Sequence, residues 1–313
     1  MTVRAALAAC LLTLAPGGGS RADEGGTPFW TSGQYGSFAA VPASPGWSLQ
    51  TSVYYYDGEA SKRFRRSDAA ANMPDTRGPL HLFQPGWAPT WKLLGGQPQL
   101  SLSFGYGFNH VHAEQSNSSG VVESDAEDSL WGGTDVQPLV SLAWSRGVAN
   151  WMAYLTGNIP VGSYDSARLA NLGIGHGAID AGGAFSYFDA STGREASATL
   201  GFTYNFENHD TDYQNGVDSH LDWALSQTLR DGWQVGLVGY LYYQLSGDSG
   251  KGADLGDFES KVVAIGPKLG RNFQFCSQPW SANLRGYYEL WSENRVRGFA
   301  IFATLSLPIP LGN

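Results

Sequence analysis

The sequence is poor in cysteine, in charged residues and in overall hydropathy, and each scarcity excludes a class of protein. Two of its 313 residues are cysteine, so a disulfide-rich scaffold is excluded. Charged residues make up 15% and hydrophobic residues 42%, which excludes a disordered chain. The mean hydropathy of -0.23 excludes a helical membrane protein. What remains is a composition with 41 glycines and 13% aromatic residues, which suits a β protein.

The first 22 residues have the pattern of a cleaved export signal. Arg4 supplies the positive charge, and an apolar stretch follows that is too short to span a membrane. A small-residue cleavage site ends at Ala22, where we expect the chain to be cut. Cys10 also lies in a sequence similar to a lipoprotein box, but its early position favours an ordinary signal peptide. Cleavage would leave Cys276 alone, so we expect no intramolecular disulfide.

Residues 219–230 and 233–245 predict a long two-sided β-hairpin. Side chains of a strand alternate between its faces, so leucines and Trp223 share one face while His220 and Asp222 share the other. An Asp-Gly dipeptide, a strong hairpin-turn signal, joins the two segments. An apolar outer face, a polar inner face and aromatic residues near the ends are typical of a transmembrane β-barrel.

Similar segments recur along the chain, and we count twelve strands. The connections after odd-numbered strands are long and polar, and residues 109–130 are predicted to be an acidic loop. Those after even-numbered strands mostly have two to five residues, with residues 270–278 as the exception. Outer-membrane barrels show this asymmetry between extracellular loops and periplasmic turns. The predicted strands are residues 47–56, 80–93, 100–109, 131–144, 150–159, 173–188, 195–206, 219–230, 233–245, 258–269, 281–291 and 297–309.

The sequence therefore predicts an all-β fold, a transmembrane antiparallel up-and-down barrel of about twelve strands. Residues 1–22 are the signal peptide, residues 23–45 a flexible periplasmic lead or plug, and residues 46–313 the barrel. Regular strand–turn spacing also fits a soluble sandwich, but a sandwich needs neither aromatic residues at strand ends nor a polar enclosed face. The predicted location is the outer membrane of a Gram-negative bacterium.

Several short motifs stand in a characteristic order along the chain. They are Asn158-Ile-Pro-Val-Gly-Ser-Tyr164, Asn171-Leu-Gly-Ile-Gly-His176 with Asp180, Asn208-His-Asp-Thr-Asp-Tyr-Gln-Asn-Gly216, His220-Leu-Asp222, Gly239-Tyr240 with Gln244 and Asp248, Ile265-Gly-Pro267 and Arg285-Gly-Tyr-Tyr-Glu289. In combination, over about residues 47–308, the chain resembles the outer-membrane family of meta-pathway phenol degradation proteins. The resemblance implies a barrel associated with aromatic or other hydrophobic compounds and acting in their uptake.

Inward-facing polar and aromatic side chains are the candidate functional residues. Inward glycines and serines would leave room for a passage, and larger inward side chains would line it. We predict that the lumen and substrate path contain Asp180, Asn205, His220, Asp222, Tyr240, Tyr242, Gln244, Arg285, Tyr287 and Glu289. The tyrosine rings would offer faces to aromatic solutes.

Catalytic and metal-binding interpretations of these residues are weaker. His220 with Asp222 could be a catalytic or metal pair, but no Ser or Cys nucleophile has a recognisable setting, so we expect no enzyme and no cofactor. The spacing of a calcium loop is absent from the loop aspartates, which are Asp210, Asp212, Asp248, Asp254 and Asp257. The basic run at residues 62–66 is either a lipopolysaccharide contact or a solvated loop.

Three functions stay open at this point. The first is a channel that admits small hydrophobic or aromatic solutes, the second a barrel enzyme such as a lipid hydrolase or deacylase, and the third a structural barrel with a filled core. The expected partners are the lipid bilayer with its lipopolysaccharide, the barrel assembly machinery and the solutes. A nucleic-acid partner is disfavoured by the net charge of -9, because such a partner calls for basic patches.

Overall fold

A computed structural model describes residues 28–59, 63–66, 69–72, 75–117, 122–253 and 259–310. The predicted signal peptide lies outside these residues. No helix in the described ranges has the length and apolar composition needed to cross a membrane. The strands are β1 (Gly46–Glu59), β2 (Arg63–Arg66), β3 (Ala69–Asn72), β4 (Asp75–Ala88), β5 (Gln97–Asn117), β6 (Val122–Gly133), β7 (Gln137–Arg146), β8 (Ala149–Asn158), β9 (Ala178–Asp189), β10 (Arg194–Asn205), β11 (Asp218–Thr228), β12 (Trp233–Gln244), β13 (Lys261–Phe275), β14 (Gln278–Glu293) and β15 (Arg297–Ile309).

The strands form one closed antiparallel barrel with twelve positions. β1 pairs with β4 on one side and with β15 on the other, so the first and last strands close the sheet. β5 pairs with β7 along its first part and with β6 along its second, so β6 and β7 together fill one position. β2 and β3 form a hairpin in the connection between β1 and β4. The predicted barrel of twelve strands is confirmed. The pairing of β1 with β15 removes the two free edges that an open sheet would have, and hydrocarbon would penalise such edges by several kcal/mol per polar group.

Alternation along each strand separates a lipid-facing surface from an enclosed interior. In β10, Leu200 and Phe202 are each about half exposed, at 48% and 49%, whereas Thr199 and Thr203 on either side of them are fully buried. Among the described residues, buried polar side chains outnumber buried hydrophobic ones, as expected when apolar side chains meet lipid.

The connections divide the barrel into two ends. At one end, here called the short-turn end, the chain reverses at residues 147–148, 190–193, 229–232 and 276–277. The opposite long-loop end carries residues 159–177, 206–217, 245–253 and 259–260.

Two predicted connections are wrong. Residues 270–278 belong mainly to β13 and β14, which are joined by only Cys276 and Ser277 with φ angles of 50° and 61°. Two successive positive φ angles define a tight hairpin turn, so the apparent exception among the short turns disappears. Residues 109–130 are not a loop either, because β5 and β6 extend through most of them.

Candidate functional site in the barrel interior

All ten residues predicted to line the lumen lie inside the barrel. Each is 5% exposed or less: Asp180, Asn205, His220, Asp222, Tyr240, Tyr242, Gln244, Arg285, Tyr287 and Glu289. The structure thus brings them together, but in packed and hydrogen-bonded surroundings. Whether a solute passes along them stays a prediction.

Glu289 on β14 is the centre of a buried tyrosine cluster, here called the Glu289 core. The hydroxyl of Tyr56 donates to its Oε2 at 2.9 Å, and the hydroxyl of Tyr240 donates to its Oε1 at 2.8 Å. The backbone N–H of Gly298 also donates to Oε2, at 2.6 Å. Three donors meet the requirement of a buried carboxylate for hydrogen-bond partners. The surrounding core consists of Ala224, Val238, Tyr242, Val262, Ala264, Tyr287, Ala300 and Phe302, with Tyr54 packed against it.

His220 pairs with Asp180, and not with Asp222 as the sequence hypothesis of a catalytic or metal pair assumed. Its Nε2 lies 2.9 Å from Asp180 Oδ2, and both side chains are fully buried. The hydroxyl of Thr203 donates to the same Asp180 oxygen at 2.6 Å, and Tyr154 Oη lies 3.4 Å from His220 Nε2. The partner of His220 therefore comes from β9, not from its own strand.

Asn205 and Gln244 anchor the long-loop end of the interior. Asn205 Nδ2 donates to Asp218 Oδ2 at 2.8 Å and to the carbonyl of Gly216 at 2.9 Å. Gln244 Nε2 donates to Asp248 Oδ1 at 2.6 Å. Both side chains thus bind neighbouring loop groups.

Residues 28–45, here called the inner segment, lie inside the barrel. Trp30 is 1% exposed and stacks on the His220 ring, with 3.5 Å between the ring centroids and 14° between the planes. Trp30 also stacks with Tyr35 at 5.7 Å and with Tyr154 at 5.9 Å. Trp30 was not predicted to be a functional residue. The available signal was a large apolar side chain in a Gly/Pro/Ser-rich stretch, because such a side chain is expected to pack against other residues.

Backbone N–H groups of the inner segment point to acceptors on β9, β10 and β11. Asp222 accepts from the N–H of Gly33 at 2.8 Å and from that of Tyr35 at 3.1 Å. Glu195 accepts from Phe38 at 3.1 Å. Farther along, the hydroxyl of Ser186 accepts from the N–H of Ala40 at 3.0 Å.

Backbone carbonyls of the inner segment face β14 on the other side. Arg285 Nη1 donates to the carbonyls of Gly33 and Gln34 at 2.8 and 3.1 Å, and Tyr287 donates to Gly33 at 3.0 Å. Gly33 has a φ of +83°, and a Cβ there would lie 2.9 Å from Tyr287 Cζ, so only glycine fits this position. Lumen side chains thus satisfy backbone groups that would otherwise be buried without partners.

A polar cavity of about 430 Å³ lies between the inner segment and the wall toward the short-turn end. Its wall carries many small or amide side chains, for example Ser48 and Gln50 on β1 and Ser281 and Asn283 on β14. The volume lies in the range of pockets that hold small organic ligands.

The described residues contain no group of three or more His, Cys, Asp or Glu placed to hold a metal ion. Of the loop aspartates weighed for calcium, Asp254 and Asp257 lie outside the described residues. Asp248 accepts hydrogen bonds from Tyr213 and Gln244, so it serves to tie loops together.

Comparison with known proteins gives a family match and a similar fold. A model of the family described as "Putative MetA-pathway of phenol degradation" matches residues 87–305. An outer membrane channel from Pseudomonas putida F1 is 12% identical, with a TM-score of 0.61 over 86% of this chain and 97% of its own. The translocator domain of the autotransporter NalP from Neisseria meningitidis is 9% identical, with a TM-score of 0.44 over 86% and 91%. No curated protein sequence matches the chain.

Proposed function

The chain belongs to this phenol-degradation family of barrels in the Gram-negative outer membrane, and we propose that it is a channel for small hydrophobic or aromatic compounds. The solutes would pass through a lumen lined by polar side chains. The observation that supports the proposal is the polar cavity of about 430 Å³ inside the closed barrel, next to a segment that no strand pairs with.

In this proposal the inner segment is a plug that must shift before a solute can pass. Side chains of the barrel hold it, and a net contribution of about 0.5–1.5 kcal/mol per hydrogen bond makes each contact reversible. The stacked rings of Trp30, His220 and Tyr154 lie across the interior. A flat aromatic solute could take the place of Trp30 on His220, because it offers the same stacking surface.

A second candidate function is a structural barrel with a filled core. The Glu289 core favours it, since large inward side chains pack there around a carboxylate with three donors. The cavity favours the channel, because a purely structural barrel has no need for a hollow polar region.

A catalytic role has less support from the geometry. In the described residues, His220 Nε2 contacts Asp180 and Tyr154, and Trp30 covers its ring. The hydroxyl of Thr203 donates to Asp180 and not to His220. A lipid hydrolase or deacylase would need a Ser or Cys nucleophile beside the histidine. We therefore propose that the protein is not an enzyme. Contact with lipopolysaccharide and insertion by the barrel assembly machinery stay predictions that rest on the outer-membrane location alone.

An uptake measurement tests the channel proposal. Cells lacking the gene are complemented with the wild-type gene or with empty vector, and the initial uptake of radiolabelled phenol is measured at limiting concentration. We expect several-fold faster uptake with the wild-type gene, and unchanged uptake of a sugar as the control. Equal phenol uptake, with an envelope that becomes sensitive to detergent without the protein, would favour the structural barrel.

A further inference from the structure

Two buried cations lie directly opposite each other on the wall of the cavity. Lys268 on β13 and Arg285 on β14 are partners in the strand register and are 6% and 5% exposed. In an antiparallel pair, the Cβ atoms of directly opposite residues lie about 5 Å apart, and like charges at such positions destabilise the sheet. This pair therefore needs an explanation.

Neither cation has a carboxylate partner in the described part of the chain. Lys268 Nζ donates to Gln234 Oε1 at 3.0 Å and lies 5.2 Å from the centre of the Phe38 ring. Arg285 uses Nη1 for the carbonyls of Gly33 and Gln34, while its buried Nε has no hydrogen-bond partner. The two cations are thus held in place by neutral groups, whereas Glu195 and Asp222 act on Lys268 and Arg285 through space and not by direct contact.

The acids of neighbouring strands are already engaged. Asp222 accepts the N–H groups of Gly33 and Tyr35, and Glu195 accepts from Phe38 and from the hydroxyl of Ser226 at 2.6 Å. Neither acid lines the cavity, where Lys268 and Arg285 are the charged residues among the described ones. The surface that a solute meets in the cavity is therefore positive, and this favours an anion there.

We propose that the cavity binds an aromatic monocarboxylate between Lys268 and Arg285. The unused Nε edge of a guanidinium can donate to one carboxylate oxygen, and an ammonium can donate to the other. Phe38 and Phe302 line the same cavity and offer apolar surface to an aromatic ring. The inference rests on the proposed function, because it names the class of solute that the lumen takes.

Calorimetric titration of the purified full-length protein tests the inference. Benzoate is the probe, and benzyl alcohol is its neutral counterpart of similar shape. We expect benzoate to bind at least about tenfold more tightly than benzyl alcohol, because a charge-assisted hydrogen bond contributes more than a neutral one. Equal affinities, or no benzoate binding, would overturn the inference. This measurement needs only the wild-type protein.

Variants of Lys268 then assign the binding to this site. Lys268→Gln should weaken benzoate binding about tenfold or more, while Lys268→Arg, which keeps the charge, should retain most of it. Unchanged affinity in Lys268→Gln would contradict the assignment.

Inorganic phosphate is added as a competitor of benzoate in a second titration. Displacement of benzoate by phosphate at equal concentration would show a general anion site and overturn the aromatic part of the inference.

The two proposals can fail separately. If benzoate binds but phenol uptake does not depend on the gene, the transport proposal fails and the carboxylate site stands. If phenol uptake depends on the gene but benzoate does not bind, the channel stands and the carboxylate site is wrong.

Discussion

The Glu289 core and the cavity share five strands, β1 and β12 to β15, yet differ in how the interior is filled. On β1 the inward residues change from Ser48 and Gln50 beside the cavity to Tyr54 and Tyr56 beside the core. Side-chain volume therefore decides where the lumen is closed. The packed core stabilises the barrel toward the long-loop end, so the interior toward the short-turn end can stay hollow.

Removing the carboxylate at the centre of the core should have the largest effect. Glu289→Ala leaves the hydroxyls of Tyr56 and Tyr240 and the N–H of Gly298 without their acceptor. We expect the free energy of unfolding to fall by about 3 kcal/mol or more, since each orphaned buried group costs about 1–3 kcal/mol. Urea titration followed by heat-modifiable mobility measures it. The matched control in the cavity is Ser281→Ala, and an equal loss there would remove the distinction between the two regions.

Trp30→Ala should release the inner segment from the interior. The change removes stacking on His220, Tyr35 and Tyr154, and loss of a buried tryptophan side chain costs about 3–5 kcal/mol. We expect the barrel to assemble while the segment becomes sensitive to added protease and the single-channel conductance rises. Ser37→Ala, which removes a 3.3 Å contact with Ser226, is the control. A variant as protected and as poorly conducting as wild type would show that stacking does not hold the segment.

A leucine introduced into the core should lower the free energy of unfolding, whereas a leucine introduced into the cavity should leave it nearly unchanged. Ala300→Leu overpacks the fully buried core, and we expect a loss of about 1–3 kcal/mol in unfolding free energy. Ser281→Leu extends into the cavity, and we expect a change within about 0.5 kcal/mol. Both variants are measured by urea titration. If Ser281→Leu is the more damaging change, the cavity is not free space.

Asp222→Asn should loosen the inner segment less than Trp30→Ala does. The amide keeps the shape of the carboxylate but loses its charge and one of its two acceptor oxygens for Gly33 and Tyr35. We expect the inner segment to dock about 1 kcal/mol less tightly. Hydrogen exchange of the Gly33 and Tyr35 amides measures this, with the Ala40 amide, bound by Ser186, as the internal reference. Unchanged exchange at Gly33 and Tyr35 would mean that Asp222 does not anchor the segment.

The lipid-facing and lumen-facing residues of β10 could be predicted from alternation alone. Alternation from Asn205, which was predicted to face the lumen, places Thr199 and Thr203 inward and Leu200 and Phe202 outward, and the exposures of all four agree. The partner of His220 could not be found in this way. Asp222 shares its strand and face, but Asp180 comes from β9, two strands away in the barrel. Contacts across strands depend on register and curvature, which a local pattern does not contain.

Strand ends were harder to predict than strand faces. The turn at Cys276 and Ser277 needs two positive φ angles, and neither residue type signals that conformation as Asn-Gly or Asp-Gly would. Acidic residues made residues 109–130 resemble a loop, although β5 and β6 pair there. In both places pairing with the neighbouring strand overrides local preference.

By itself the sequence determined the number of strands, their two faces and the difference between short turns and long loops. These are local properties, because side chains alternate every residue and turns are short. Only the tertiary structure decided that residues 28–45 lie in the lumen, that Lys268 faces Arg285, and that one end is packed while the other is hollow. These features depend on how distant strands meet in a closed ring, and therefore on contacts between residues far apart in the chain.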